Sequence, residues 1–332
     1  MPSAFTEDIR LALELETEMI NLDEETRFRF QSLRFGLIRK PILQQAEKDY
    51  IDGMLSSFVM NVTALNNYLD CPLKFYYNTL VKVPGAKSEH ASFGSAVHTA
   101  LKLFYDNSKQ HNPYPTKEYF IEQFEHALHK EREVFTAESF GRFKEHGGRV
   151  LTAYYQHKFE NKKADQFILN EYRLDNVALD NIPLKGFADL ISFYGNDIII
   201  TDFKTGDPLK AKIQFKRPGE DDKKPDGGNY WRQAVFYKIM VDRLPKNWKV
   251  QHAEFEFIEP DKKNKFETIR VNITPEDEQL VSLQINETWE KIKNHDFYTG
   301  CGKEDCHWCR FSRDNKLYTK LIEEEAEKEE LI

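Results

Sequence analysis

Two aspartates, Asp189 and Asp202, and a lysine, Lys204, lie in strand-like segments separated by the dipeptide Gly195-Asn196. If that dipeptide is a two-residue hairpin turn, Tyr194 pairs with Asp197, and counting outward sets Asp189 directly across from Asp202. Alternation along the strands then places Ile191, Phe193, Ile198, Ile200 and Lys204 on the face of the two acids. Opposed carboxylates with Cβ atoms about 5 Å apart repel each other, and a divalent cation would compensate. Mg²⁺ and Mn²⁺ take carboxylate and carbonyl oxygens, and such an ion can bind a phosphodiester and acidify a water to attack it. Lys204 could position that water or stabilise the charge building on the phosphate. The competing reading is a structural ion pair in which Lys204 bridges the acids, against which stands the cost of burying charge without function. On the repulsion argument, Asp202→Ala should abolish cleavage and leave the metal-free fold level or more stable.

Four cysteines form the second constellation: Cys301, Cys306 and Cys309 fall within nine residues, and Cys71 lies far upstream in LDCPLKFYY. A long chain opening on MPSAFTEDIR, with neither basic leader nor apolar segment, is expected in a reducing cytoplasm, where four cysteines suit a metal better than disulfides.

The elements that must position these groups follow from composition and period. With 332 residues, 40% hydrophobic and 13% aromatic, the chain can bury a sizeable core, and no apolar run is long enough to span a membrane. A net charge of −8 excludes nucleic-acid coating by bulk positive charge, so any such contact is local. Residues 1–60 read as a helical connector. Helix also fits NVTALNNYLDCPLKFYYNTLV, with Thr63 as N-cap and Pro72 as interruption, a segment near Phe93–Tyr105, and one or two helices over Lys117–Phe159. Near Gln166 the period changes from 3.6 to 2, and three strands separated by Asp180-Asn181 and Gly195-Asn196 make a meander. A polar, mobile loop (205–228), a helix from Asn229, two strands, a helix over Pro275–His295 and a charged tail (313–332) complete the chain.

GFADL followed by DFKTG resembles the PD-(D/E)XK nuclease superfamily, in particular its RecB-like, AddB-like and CRISPR-associated exonuclease branch. The resemblance implies an α/β restriction-endonuclease-like core, a central mixed sheet flanked by helices, over residues 61–312. It makes Asp189 and Asp202 metal ligands, the Phe203 carbonyl a further one, and Lys204 the partner of the hydrolytic water. GSAVHTAL resembles the helix whose His completes the metal shell, here His98, with the small residues Gly94 and Ser95 permitting close approach to the sheet. QAVFY resembles the Q-x-x-x-Y element, giving Gln233 and Tyr237, placed to hold the DNA strand or orient Lys204. Tyr230 and Trp231 fit core packing better than base stacking. The cysteines resemble the branch's iron–sulfur staple, implying a [4Fe-4S] cluster on Cys71, Cys301, Cys306 and Cys309. Their C-x4-C-x2-C spacing departs from that pattern and keeps a structural Zn²⁺ open, with His307 able to replace a thiolate.

The implied activity is a Mg²⁺- or Mn²⁺-dependent DNA nuclease, an exonuclease of repair or recombination. The chain looks like the C-terminal nuclease region of a UvrD/Rep-type helicase-nuclease, with residues 1–60 as a remnant of the preceding helicase. No GxxxxGK[ST] occurs, so a helicase partner must supply any motor. The rivals are a non-catalytic DNA- or helicase-binding module of the same fold and a redox-sensing metal domain.

Overall fold

Hydrophobic period sets the order of elements in the computed structural model, which describes residues 9–14, 23–24, 39–43, 48–109, 114–162, 167–261, 263–315 and 317–323. In chain order these include β1 (Arg39–Leu43), α1 (Lys48–Ser56), α2 (Val62–Asp70), α3 (Pro72–Phe75), α4 (Glu89–Ser108), α5 (Lys117–Lys130) and α6 (Ala137–Lys158). There follow β2 (Ile168–Leu179), β3 (Ile182–Tyr194), β4 (Asp197–Lys204), α7 (Pro208–Ala211), α8 (Asn229–Val241), β5 (Lys249–Phe257), β6 (Thr268–Val271), α9 (Pro275–Lys293), α10 (His307–Asp314) and β7 (Tyr318–Glu323). The chain divides into two compact units, one holding residues 85–283 and the other 13–84 with 284–332.

The first unit is built on a five-stranded sheet in the order β2-β3-β4-β5-β6. The three-strand meander is antiparallel, and its first turn is carried by Asp180 and Asn181 at φ 47° and 72°, the left-handed pair a tight hairpin requires. β5 joins β4 in parallel through the α8 crossover, making the sheet mixed. Helices α4, α5 and α6 pack an aromatic core of Phe93, Phe104, Phe120, Phe124 and Phe159 onto sheet residues Ile168, Leu190 and Phe203. Helix α8 approaches the sheet at Gly186, where a Cβ would stand 3.2 Å from Tyr237 and 3.3 Å from the Met240 sulfur.

Segment 205–228 is more ordered than its polar composition predicts. It holds α7 and a 3₁₀ turn, Lys212–Phe215, and Arg217 clamps it to Asp277 with hydrogen bonds of 2.7 and 2.9 Å. Asp277 is buried and also accepts from Trp231 Nε1 and the Thr274 amide, so a dense set of donors converges on one carboxylate. Burial pushes the Asp277 carboxyl up, but Arg217 and these hydrogen bonds outweigh it and hold the group below its ordinary range. A depressed carboxylate stabilises the fold above its unfolded pKa, a contribution lost as pH falls through the folded value. Arg217→Ala is therefore expected to lower stability by about 2 kcal/mol at neutral pH, a gap that closes in acid. Urea denaturation at several pH values measures this, and a gap that is constant with pH would contradict the assignment.

In the second unit, α2 is capped by the Asn61 side chain on the Ala64 amide rather than by Thr63, which lies inside the helix. Pro72 does break the helix, as N1 of α3, after an extended Cys71 at φ −170°. A short π-helix, Tyr76–Leu80, continues it. Two segments expected as helical connector and tail instead contain paired strands: β1 and β7 form an antiparallel ribbon. Long-range pairing overrides the local helical spacing there. The acidic run 324–330 and the segment 15–22 lie outside the described residues.

Candidate active site

The β3–β4 ladder runs from Tyr194↔Asp197 to Leu190↔Thr201, the register expected from the Gly195-Asn196 turn. The next positions are Asp189 and Asp202, and there the recorded pairing stops. The Phe203 amide donates to Asp189 Oδ2 at 2.9 Å, so a side chain takes over from the ladder. β4 itself continues in pairing with β5 as far as Lys204↔Phe257. The opening of the hairpin between the two acids makes room for a site.

Asp202 is buried, and its partners come from two elements. Gln233 Nε2 donates to Oδ1 at 2.6 Å, and Lys204 Nζ lies 2.7 Å from Oδ2. That second contact is a close ion pair that occupies Oδ2. Lys204 also donates to Gln233 Oε1 at 3.2 Å, and Gln233 donates to the Tyr237 hydroxyl at 3.1 Å. Gln233 thus aligns the acid and the lysine together. The ammonium rests over the Tyr230 ring at 4.5 Å, and Tyr230 in turn stacks on Phe255, while Trp231 is fully buried. Burial pulls the Lys204 pKa down, but the ion pair with Asp202, helped by Asp189, more than reverses this and the net displacement is upward. Lys204 therefore remains an ammonium. It pairs with Asp202 alone and does not bridge both acids.

His98 stands on α4, whose close approach is allowed by Gly94: a Cβ there would lie 3.1 Å from the Thr205 hydroxyl. His98 Nδ1 is 3.4 Å from Asp189 Oδ2, and the Phe203 carbonyl is within hydrogen-bonding reach of the ring. Burial lowers the His98 pKa, Asp202 raises it, Lys204 lowers it, and the net displacement is down, which keeps the imidazole neutral and able to donate a lone pair. Burial and then the Asp202 charge push Asp189 well above the usual carboxylate range.

One member of the site was missed in the sequence. Ligand atoms of His98, Asp189 and Glu171 lie within 4.8 Å of one another, and burial raises the Glu171 pKa. Glu171 sits on β2 between the pairs Asn170↔Leu190 and Tyr172↔Ala188, which places it opposite Asp189. Counting back from the Asp180-Asn181 turn would have set it opposite Leu190. A bulge between Leu174 and Val177, with Asn176 at φ 55°, shifts the register by one.

Residues 59–313 match the family model of the PD-(D/E)XK nuclease superfamily. The chain belongs to this superfamily. No curated protein matches it. Among solved structures it is similar to a crystal structure of a candidate exonuclease from Eubacterium rectale, with a TM-score of 0.47 and 15% identity over 82% of this chain and 94% of that one, a likeness too slight to carry an argument. Membership of a PD-(D/E)XK nuclease family implies a divalent metal, and the residues fit one: a neutral imidazole and the carboxylate of Asp189 converge, with the Phe203 carbonyl beside them, and offer the hard oxygen and nitrogen donors such an ion takes, while Asp202, held by Lys204 and Gln233, stands outside that converging set. Among the described residues no helix is long and apolar enough to cross a membrane.

The second unit of this PD-(D/E)XK protein carries the cysteines. The sulfur atoms of Cys71, Cys301, Cys306 and Cys309 all lie within 4.8 Å of one another, with Cys309 3.8 Å from Cys71 and 3.7 Å from Cys301. These two separations match the edge of a tetrahedron with metal–sulfur bonds of about 2.3 Å. A [4Fe-4S] cluster places four irons between its thiolates and holds the sulfurs further apart than a single ion does. His307 is not part of the converging set.

Proposed function

We propose that the chain is a divalent-metal-dependent deoxyribonuclease that hydrolyses phosphodiester bonds. The observation that carries the reading is the convergence, at the opened end of one hairpin, of His98 and Asp189, with the Phe203 carbonyl in reach of the His98 ring, beside the locked trio Asp202, Lys204 and Gln233. Mg²⁺ or Mn²⁺, when bound, would supply electrophilic contact to the scissile phosphate and acidify the attacking water. His98, Asp189, Asp202 and the Phe203 carbonyl would hold it. Lys204, kept as an ammonium, donates to the charge that develops on the phosphate oxygens and is unsuited to act as a base. Gln233 fixes the lysine's direction, and Tyr237 buttresses Gln233. The order of the motifs GSAVHTAL, GFADL, DFKTG and QAVFY supports the RecB-like, AddB-like and CRISPR-associated exonuclease branch, with a role in DNA repair or recombination beside a helicase in the cytoplasm.

End-labelled single- and double-stranded DNA incubated with the chain and Mn²⁺ or Mg²⁺ tests this. Metal-dependent products are expected. Retention of DNA without cleavage would point to the rival reading, a binding module of the same fold. A Lys204→Ala variant separates the lysine from the ligands, since an ammonium has donors only. It should bind Mn²⁺ as well as the parent or more tightly, yet cleave about 10²-fold more slowly in single turnover. If it loses metal as badly as an Asp189 variant, the lysine holds the site together rather than serving the reaction.

For the cysteines we infer a structural metal, and the sulfur spacing favours a single zinc ion over the [4Fe-4S] cluster that the family resemblance implies. Elemental analysis after anaerobic purification decides between them: one zinc and a colourless protein support the spacing argument, four irons and a brown colour the cluster.

A further inference from the structure

We propose that Glu171 is an additional ligand of the divalent-metal centre, opposite Asp189 and supplying the charge that matches the site to one cation. The proposal rests on the metal centre just described and extends it to a residue outside the D…D-x-K pattern. Three observations support it. The Glu171 carboxylate is within 4.8 Å of ligand atoms on both His98 and Asp189, so all three can contact one ion. The backbone at Glu171 is left-handed, φ 48°, within a strand, a conformation that side chains other than Gly, Asn and Asp seldom adopt. Strain of this kind persists where surrounding structure and function hold it in place.

Charge is the third observation. Once a cation displaces their protons, Asp189, Asp202 and Glu171 bring three negative charges, and Lys204 returns one positive, leaving −2 beside a neutral His98. One divalent cation balances that set. Without Glu171 the remainder is −1, short of the charge of a divalent cation. Lys102 and Asp106 of α4 and Asp202 of β4 are the other charged groups acting on Glu171, and they do not alter this balance, since Lys102 and Asp106 offset each other.

The test uses the full chain in four forms, parent, Glu171→Gln, Glu171→Gly and Asp189→Asn, with calorimetric titration of Mn²⁺ and melting measured with and without Mn²⁺. Both Glu171 variants should bind Mn²⁺ at least about tenfold more weakly, the loss usual for a group that ligates or supports a ligated metal. Glycine adopts positive φ freely, so metal-free Glu171→Gly should melt no lower than the parent, while the rise in Tm on adding Mn²⁺ shrinks. If the Glu171 variants bind within twofold of the parent and Asp189→Asn does not, Glu171 is no ligand and the metal centre stands. If Asp189→Asn also binds like the parent, the metal centre itself is misplaced. A lower metal-free Tm for Glu171→Gly would make the side chain a prop of the fold and overturn the proposal.

Discussion

Asp189→Asn is expected to abolish DNA cleavage, by about 10³-fold or more, without destabilising the metal-free protein. The amide keeps the oxygen that accepts from the Phe203 N–H at 2.9 Å, so the opened end of the hairpin retains its shape. It removes a carboxyl that burial and the Asp202 charge already push toward protonation, so little favourable charge interaction is lost in the absence of metal. Asp202→Asn should be equally inactive but less stable, by about 3 kcal/mol, because it strips the counter-ion from a lysine whose side chain is only 19% exposed. Repulsion between opposed acids, read from the sequence, had predicted that losing Asp202 would leave stability level or higher. The ion pair with Lys204 reverses that expectation. Urea denaturation of both metal-free variants alongside single-turnover cleavage measures the contrast. Equal stability of the two would show that the Lys204–Asp202 contact contributes nothing, and residual cleavage by either would remove it from the reaction.

The second large effect is expected at Cys71. Its side chain is 1% exposed and its sulfur meets that of Cys309, 238 residues away. A metal held there closes a very long loop, and the free energy of metal binding to a closed thiolate set becomes folding free energy. Cys71→Ala should reduce bound metal from one centre per chain to almost none and destabilise the helical unit by about 3 kcal/mol or more, as loss of one member of a structural site does. Around it, Tyr68 donates to the Asp296 carbonyl, Tyr77 shares a 3.2 Å hydrogen bond with Ser312, and the Tyr77 and Trp308 rings stack at 4.6 Å. These contacts join the same two stretches of chain, so proteolysis should first appear near residues 300–315 in the variant. Native metal content and an unchanged melting profile in Cys71→Ala would show that the sulfurs are free thiols.

Much of this protein was legible in its sequence because the decisive signals are local. A two-residue turn with glycine at φ 71° sets the pairing of β3 with β4 and so brings Asp189 and Asp202 together by counting alone. Four residues separate Gln233 from Tyr237, which puts both on one face of α8, and C-x2-C spacing at the start of α10 presents two sulfurs from adjacent turns. The tertiary structure decided what depends on irregularities and on partners far along the chain. A bulge after Leu174 moved Glu171 into line with Asp189, and no pattern of types marks a bulge in advance. Helix α8, close against the sheet at Gly186, sets Gln233 on Asp202, whose ion pair with Lys204 lies within β4. The pairing of β1 with β7 turned two helix-like or tail-like segments into strands. Local periodicity specifies which face a residue occupies, whereas long-range packing alone specifies what stands opposite that face.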